Sequence, residues 1–152
     1  MGNQSQLDAV DRAIIFQLQQ DGRLTNLELA KRVGLTPAPC LRRVKRLEEA
    51  GVIVGYRAVV DPVALGRGLQ VWVEVEVYAT DQKTIETFED TVAGYDEVVD
   101  FHRMFGRPDY FLRVAVADHA AYEGFVTGKL TGLPGVQRIT SHLAMKKIKA
   151  EA

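Results

Sequence analysis

Cysteine is almost absent from this sequence, since Cys40 is the only one in 152 residues. A single cysteine allows no intrachain disulfide, which excludes a disulfide-stabilised secreted domain. No hydrophobic run is long enough to span a bilayer or to serve as a signal peptide. The three histidines lack the spacing of metal ligands, and neither glycine-rich phosphate-binding motif is present. We therefore expect a cytoplasmic protein with no membrane contact, no metal ion and no cofactor.

A large excess of charge is also missing, because the formal net charge is −1. This balance hides a division along the chain. Residues 1–60 carry nine basic and six acidic side chains, a net charge of +3, whereas residues 61–152 carry ten and fourteen, a net charge of −4. Any affinity for a polyanion such as nucleic acid is therefore expected in the first part of the chain.

Residues 25–46 have the pattern of two short helices joined by a tight turn. Thr25 followed by Glu28 predicts a capping box at the start of the first helix. Gly34 predicts its end, because glycine adopts the left-handed backbone conformation without a Cβ penalty. Six residues of this segment are lysine or arginine, and Glu28 is its only acidic residue. A short turn and concentrated positive charge are typical of a helix-turn-helix that binds DNA.

The second helix of this pair has two unlike faces. Thr36 and Pro37 predict its start, as N-cap and first helical residue. A basic outer face would suit the major groove of DNA, where the first residues of such a helix approach the base edges. The predicted inner face comprises Leu27, Ala30 and Val33 in the first helix and Cys40, Leu41, Val44 and Leu47 in the second, whereas Ala38, Pro39, Arg42, Lys45 and Arg46 point outward.

A further helix is predicted over residues 7–20, with Asp8 as N-cap and Asp11 as its partner. Gly51 ends the last helix of this region, and residues 52–60 suggest a β segment that leaves the domain like a wing. Proline and glycine then mark a linker. The expected organisation is a DNA-binding domain over residues 1–60, a linker over 61–68 and a second domain over 69–152.

The second domain reads as four strands and two helices in the order β-α-β-β-α-β. Valines alternate with other residues from Val71 to Val77, which indicates a strand with one aliphatic face. This order is typical of a ferredoxin-like domain, in which both helices cover one face of an antiparallel sheet. The remaining elements are predicted as a helix over 84–93, strands over 98–105 and 110–117, a helix over 119–130 capped by Asp118, and a last strand over 136–148.

The other face of this sheet is expected to carry an apolar patch. A large exposed apolar patch is rare on a soluble protein, so sheet-to-sheet dimerisation is the physical expectation, with a solvated face as the alternative. Two recognition helices in a dimer would match a pseudo-palindromic DNA site. The residues assigned to the patch are Trp72, Tyr78, Val98, His102 and Met104.

Residues 11–56, together with the segment F-G-R-P-D-Y-F-L-R-V at 105–114, resemble the Lrp/AsnC (feast/famine) family of transcriptional regulators. The resemblance extends from Leu7 to Lys149, and T-P-A-P-C-L-R-R-V-K-R-L-E at 36–48 is especially similar to the leucine-responsive branch. It implies an α+β protein with an N-terminal winged helix-turn-helix and a C-terminal ferredoxin-like domain for effector binding and oligomerisation. It also implies a nucleoid-associated, non-enzymatic regulator of amino-acid metabolism genes, whose dimers often assemble into octamers.

The resemblance places the recognition element at residues 36–46. Thr36, Pro39 and Arg42 are expected to approach bases or the phosphates beside them, while Arg43, Lys45 and Arg46 mainly neutralise phosphate.

The effector site implied by the family lies between subunits of neighbouring dimers, around the loop between the second and third strands and the last strand. Asp109 would receive the ammonium group of a free amino acid, leucine being the first candidate, and Arg107 or backbone amides would receive its carboxylate. Many relatives have an aromatic residue where Pro108 stands, and Gly-Arg-Pro-Asp is also an ordinary tight turn. The expected site residues are Met104, Phe105, Gly106, Arg107 and Asp109, with His142, Leu143 and Ala144 opposite.

Two other functions remain open at this stage. Siroheme decarboxylases also resemble the family, which would make the protein an enzyme that acts on a tetrapyrrole. An amino-acid sensor that does not bind DNA, or a scaffold that binds a partner, is the second alternative. Neither explains the concentration of positive charge on one helical face.

Overall fold

The computed structural model describes residues 7–78 and 81–148, which divide into two units between Val59 and Val60. The first unit consists of helices and the second contains a four-stranded sheet. The elements are α1 (Ala9–Gln20), α2 (Asn26–Arg32), α3 (Pro37–Glu49), β1 (Leu69–Val77), α4 (Gln82–Ala93), β2 (Val98–Arg103), β3 (Tyr110–Val116), α5 (His119–Phe125) followed by a π-helical turn (Val126–Leu130), and β4 (Val136–Leu143).

The helix boundaries of the first unit follow from the predicted caps. Asp8 and Asp11 form a capping box at α1, and Thr25 and Glu28 form one at α2. Each box satisfies two backbone N–H groups that have no partner within the helix. Gly34 follows α2 with φ of +71°, a conformation that favours glycine over residues with a Cβ. The predicted helix starts and the turn are therefore confirmed.

The core of this unit is only partly the predicted one. Cys40, Leu47 and Ala30 are buried as expected, together with Ile14. Leu29 replaces Leu27, which is 54% exposed, because spacing in a seven-residue helix does not decide which apolar stripe packs against the neighbouring helices. Leu41 was also assigned to the core, and that assignment is wrong because the side chain is 43% exposed.

No strand forms over residues 52–60, so the predicted β segment is wrong. The amides of Val52 and Ile53 donate to the carbonyl of Leu47 and extend the end of α3 instead. The following residues are mostly exposed, and Val54 and Val59 are almost fully so. A strand requires a neighbour for its backbone groups, and within the described part of this unit there is none.

The second unit has the predicted β-α-β-β-α-β order. Its sheet is antiparallel, with strand order β2-β3-β1-β4. One face is covered by helices, and Val71, Val73 and Val75 pack there against Phe88 and Phe125. The period of two in β1 therefore predicted the buried face correctly, and the ferredoxin-like expectation is confirmed.

Several boundaries differ from the predicted ones, and α4 begins at Gln82, two residues before its expected start. β2 ends at Arg103, because the chain turns where the amide of Met104 donates to the carbonyl of Asp109. β4 ends at Leu143, and the next described residues, 144–148, are exposed and lie outside the sheet. The helix expected over 119–130 changes from α to π geometry at Val126. Lys149, included in the expected family resemblance, lies outside the described residues.

The uncovered sheet face is not the apolar patch that the sequence suggested. Val98 packs with the core instead, because a register shift between Val98 and Asp100 reverses the alternation of β2. Tyr78 and Met104 follow strands and are exposed in loops. The strand registers place Trp72 and Phe111 on this face among the charged side chains Glu74, Glu76, Asp100, Arg113 and Arg138, with His102 and His142.

Candidate nucleic-acid interface and effector site

α3 is fixed in the first unit by both its inner face and its first turn. Cys40 and Leu47 are buried in the core, and the side-chain amide of Asn26 donates to the carbonyl of Pro37 at 2.8 Å. Burial raises the pKa of the Cys40 thiol, so this cysteine remains protonated and unreactive at neutral pH. The contacts hold the recognition element against α2 as a single rigid hairpin.

The outward face of α3 combines small, apolar and basic side chains. Ala38, Leu41, Arg42 and Lys45 are all exposed, and at about 100° per residue they occupy one side of the helix. We call these four residues the outer strip. Arg42 and Lys45 make no ion pair with any residue that the structure describes. Their charges are therefore available to a ligand.

Arg43 and Arg46, in contrast, form ion pairs with carboxylates at the start of α1. Arg43 Nη1 lies 2.6 Å from Asp8 Oδ2 and 2.8 Å from Asp11 Oδ1, and Arg46 Nη2 lies 2.5 Å from Asp11 Oδ2. α3 is oriented so that these arginines face α1. In this orientation Leu41 lies on the exposed flank of the helix and not in the core, where it was predicted. The structure thus places two of the expected phosphate ligands against carboxylates of the protein itself.

Thr36 and Pro39 flank the start of the recognition element. Thr36 is the N-cap of α3 but its hydroxyl makes no capping hydrogen bond, and the residue is exposed. Pro39 is half-buried. The Thr36 hydroxyl is therefore available as a donor or acceptor.

The loop between β2 and β3 contains the first half of the predicted effector site. Its chain reversal includes Gly106 with φ of +99°, and Phe105 at its tip is fully exposed. Asp109 already has a structural partner, since its Oδ2 accepts a hydrogen bond from the amide of Val77 at 2.8 Å. Arg107 Nη1 lies 3.6 Å from Glu76 Oε2 and is otherwise largely exposed. Both charged side chains retain capacity for a ligand.

The second half of the predicted site lies at the other end of β1. Leu143 pairs with Val71, whereas Asp109 contacts Val77. Val71 and Val77 are six positions apart along the strand, a span of about 20 Å. His142, the neighbour of Leu143, has its Nε2 atom 3.3 Å from Glu74 Oε1. One chain therefore does not bring the two halves of the predicted site together.

Sequence reasoning missed the second role of Asp11. The residue was predicted only as a capping partner, yet its side chain is buried and receives both arginines. Its spacing gave a signal, because Asp11 precedes the buried Ile14 by three residues and so shares the inner face of α1. A carboxylate on an inner face requires a cationic partner.

Within residues 7–78 and 81–148, no three histidine, cysteine or acidic side chains gather as a metal ion would require. No helix in the same residues has the length and apolar character needed to cross a bilayer.

Comparison with known proteins assigns each unit to a family. Residues 7–54 match a family described as "Winged helix-turn-helix DNA-binding", and residues 70–152 match one described as "Lrp/AsnC ligand binding domain". The leucine-responsive regulatory protein of Haemophilus influenzae is 40% identical over 94% of this chain and 86% of its own length. The protein of the same name from Escherichia coli K12 is 41% identical over 94% of this chain and 87% of its own length.

A solved structure shows the same similarity in three dimensions. A transcriptional regulator from Neisseria meningitidis, crystallised in complex with L-methionine, aligns with a TM-score of 0.90 and 38% sequence identity. The alignment covers 95% of this chain and 94% of that one. All three relatives are named as regulators. The capped helix-turn-helix, the antiparallel β-α-β-β-α-β sheet and these similarities together show that the chain belongs to the Lrp/AsnC family of DNA-binding transcriptional regulators.

Proposed function

We propose that this regulator binds pseudo-palindromic duplex DNA as a homodimer through the outer strip of α3, and that a free amino acid controls the binding. The observation that carries the proposal is the pair of exposed cations Arg42 and Lys45, which have no ion-pair partner among the described residues and lie on a helix whose opposite face is packed in the core. A rigid helix with this outer face suits the major groove.

The outer strip divides into base-reading and phosphate-binding positions. Arg42, near the first turn, suits a bidentate hydrogen bond to guanine or a contact to the adjacent phosphate. Thr36 and Pro39 remain proposed contacts at the helix start, and Lys45 remains a phosphate ligand. The exposed Leu41 adds an apolar surface that a thymine methyl group would match. Arg43 and Arg46 are not included because they pair with α1.

The proposed effector is a free amino acid bound by two chains. The loop from Met104 to Asp109 of one chain would face residues 142–144 of another, because β1 separates these segments within a chain. Asp109 would bind the ammonium group and Arg107 the carboxylate. Leucine is the first effector to test because two relatives are named leucine-responsive, and methionine is the second because a homologous regulator was crystallised with it.

The remaining parts of the proposal concern organisation and location. Residues 1–60 would form the DNA-binding domain, 61–68 the linker and 69–152 the effector and oligomerisation domain. Dimers would assemble further, with an octamer as the expected form, in the cytoplasm and on the nucleoid. The functions proposed are control of amino-acid metabolism genes and a response to the supply of one amino acid.

DNA binding is tested with the full-length protein and sites selected from a random duplex library. We expect specific binding that weakens as salt rises, because cations of the protein release counterions from DNA. Arg42→Ala should weaken binding to the selected site at least about fivefold, as loss of a bidentate base contact costs about 1–3 kcal/mol. Arg23→Ala is the matched control, since this arginine is exposed outside α3.

Two results would contradict the proposal. The salt slope is the slope of the logarithm of the binding constant against the logarithm of the salt concentration, and a value near zero would exclude phosphate neutralisation. Equal effects of Arg42→Ala and Arg23→Ala would exclude the outer strip as the DNA-binding surface. Titration of the bound complex with leucine and then methionine tests the effector separately. An unchanged affinity with every amino acid would remove the effector from the proposal and leave DNA binding standing.

A further inference from the structure

The N-terminus of α1 and the middle of α3 are joined by four charged side chains, Asp8, Asp11, Arg43 and Arg46, which we call the α1–α3 ion cluster. Arg43 bridges both carboxylates, at 2.6 Å and 2.8 Å, and Arg46 occupies the second oxygen of Asp11 at 2.5 Å. Both oxygens of Asp11 therefore face guanidinium groups. The cluster uses half of the positive charge that α3 carries.

The buried Asp11 carboxylate makes this cluster difficult to open. The side chain of Asp11 is 2% exposed, whereas those of Arg43, Asp8 and Arg46 are 29%, 49% and 54% exposed. Removing one partner from a buried ion pair leaves the other as an uncompensated charge, which is strongly unfavourable. A DNA phosphate that attracted Arg43 and Arg46 would leave the buried Asp11 side chain without its cationic partners.

Asp8 remains charged over the whole neutral range. The backbone amide of Asp11 and the Arg43 guanidinium lower the pKa of the Asp8 carboxyl. The amide of Asp11 donates to Asp8 Oδ1 at 2.8 Å, so the same residue caps α1 and holds Arg43. The start of α1 and the orientation of α3 are therefore set by one group of contacts.

We propose that Asp8 and Asp11 are positioning residues for DNA recognition, which retain Arg43 and Arg46 against α1 and leave the outer strip to contact DNA. This inference rests on the proposed DNA-binding function and adds to it the division of the α3 cations. Two cations of α3 reach phosphate or bases, and two fix the helix. The carboxylates thereby limit non-specific attraction to the DNA backbone.

This division of the four α3 cations into two that contact DNA and two that pair with α1 predicts how DNA binding depends on salt. If all four cations neutralised phosphates, the dimer would show a logarithmic salt slope of about −7 from α3, whereas two per subunit give about −4. The most direct comparison is between Arg46→Gln and Lys45→Gln, which each remove one positive charge from the same region of α3. We expect Lys45→Gln to reduce the slope by about 2 and Arg46→Gln to leave it unchanged.

The converse experiment releases the arginines. In the double variant Asp8→Asn and Asp11→Asn, asparagine retains the capping oxygens but removes the charges that hold Arg43 and Arg46. The slope should then steepen from about −4 towards −7, so that affinity between 50 and 200 mM salt falls about a hundredfold more than in the unmodified protein. Discrimination between the selected site and unrelated DNA should decrease, because the added contacts are to the backbone.

The controls separate positioning from folding and from net charge. Glu49→Gln removes a negative charge from α3 without an arginine partner, and it should leave the slope unchanged. Urea unfolding measures the stability of each variant. A purely structural role for the cluster would lower stability and affinity without steepening the slope, and that result would overturn the inference.

Failure of this inference differs from failure of the proposed function. Specific DNA binding with equal slope changes in Arg46→Gln and Lys45→Gln would overturn the inference alone. An unmodified protein that binds no DNA at low salt would overturn both. Slope changes confined to Lys45→Gln and to the double aspartate variant would support both.

Discussion

Asp109 carries two roles at the scale of a single residue. One carboxylate oxygen receives the amide of Val77 and so fastens the end of β1 to the start of β3. The other is the proposed acceptor for the ammonium group of the effector. Replacement by alanine would therefore change the sheet as well as the site, and a loss of response in that variant would not identify its cause.

The pair of substitutions Asp109→Asn and Asp109→Ala separates these roles. Asparagine keeps an oxygen for the Val77 amide but loses the negative charge, so we expect it to abolish the amino-acid response with near-normal stability. Alanine should abolish the response and also lower the free energy of unfolding by about 1 kcal/mol, because the amide loses its acceptor. DNA affinity with and without leucine, together with urea unfolding, provides the measurements. A normal response in Asp109→Asn would remove the carboxylate from the site.

Individual residues also show where sequence reasoning reached its limit. The chemistry of Thr25, Gly34 and Asp8 could be predicted because caps and left-handed turns depend on neighbours in the chain. The exposure of Leu41 could not be predicted, because the apolar face of a helix is broad. The rotation of α3 about its own axis depends on ion pairs with α1, a helix distant in the sequence. Periodicity identifies an apolar residue, whereas packing decides whether it is buried.

Capped helices form a common feature at the scale of the element. α1, α2 and α4 each begin with a capping side chain that accepts a hydrogen bond from a backbone N–H. The capping residues are Asp8, Thr25 and Asp81 respectively. Hydrogen bonds from backbone amides are the largest cause of the lowered pKa of Asp8, Glu28 and Asp81. Helix starts in both units are therefore linked to the ionisation of carboxylates.

The linkage predicts a loss of stability in acid. A carboxyl group whose pKa is lower in the folded state stabilises the fold above its unfolded pKa, and the contribution disappears as pH falls through the folded pKa. With ordinary values of 3.8 for aspartate and 4.5 for glutamate, the free energy of unfolding should decline once the pH falls below about 4.5. Urea unfolding at a series of pH values measures this decline.

The variant Thr25→Ala tests the contribution of α2 to this behaviour. We expect a loss of about 1 kcal/mol at neutral pH, because the capping hydroxyl is removed. The difference from the unmodified protein should shrink in acid, since protonation of Glu28 weakens the same capping box. A difference that stays constant from pH 7 to pH 3 would show that Glu28 ionisation does not act through the cap.

Elements differed in how well the sequence predicted them. β1 was correct because three valines with period two pack on one face. The β segment over 52–60 was wrong because β-favouring residues do not form a strand without a partner strand. The reversed side of Val98 was not predictable from alternation, since a register shift in a strand pair has no local sequence rule.

At the scale of the whole molecule, the proposed effector site is divided between chains. The family resemblance provided its residues, but their separation along β1 became visible only in the strand register, in which Leu143 pairs with Val71. The prediction of an apolar patch on the uncovered sheet face was also wrong, because charged side chains from all four strands lie there. A second copy that docked on this face would therefore have to match its charges as well as the aromatic rings of Trp72 and Phe111.

Mixed assemblies test the division of the site. Asp109→Asn alters the loop half and Ala144→Arg blocks the strand half, so each variant alone should fail to respond to leucine. After the two are unfolded and refolded together, random pairing should leave about one quarter of the sites with two intact halves. Partial recovery of the DNA-binding response is expected. No recovery in assemblies shown by mass to be mixed would contradict a site shared between two chains.

Because β1 separates the two halves of the proposed effector site within one chain, its length has a consequence for cellular regulation. A binding pocket made from two molecules exists only at concentrations where those molecules meet, and an amino acid bound there favours their association by mass action. Such a regulator would respond to the product of nutrient supply and its own abundance. Changes in its expression would therefore shift the nutrient level at which its target genes respond, without any change in the pocket itself.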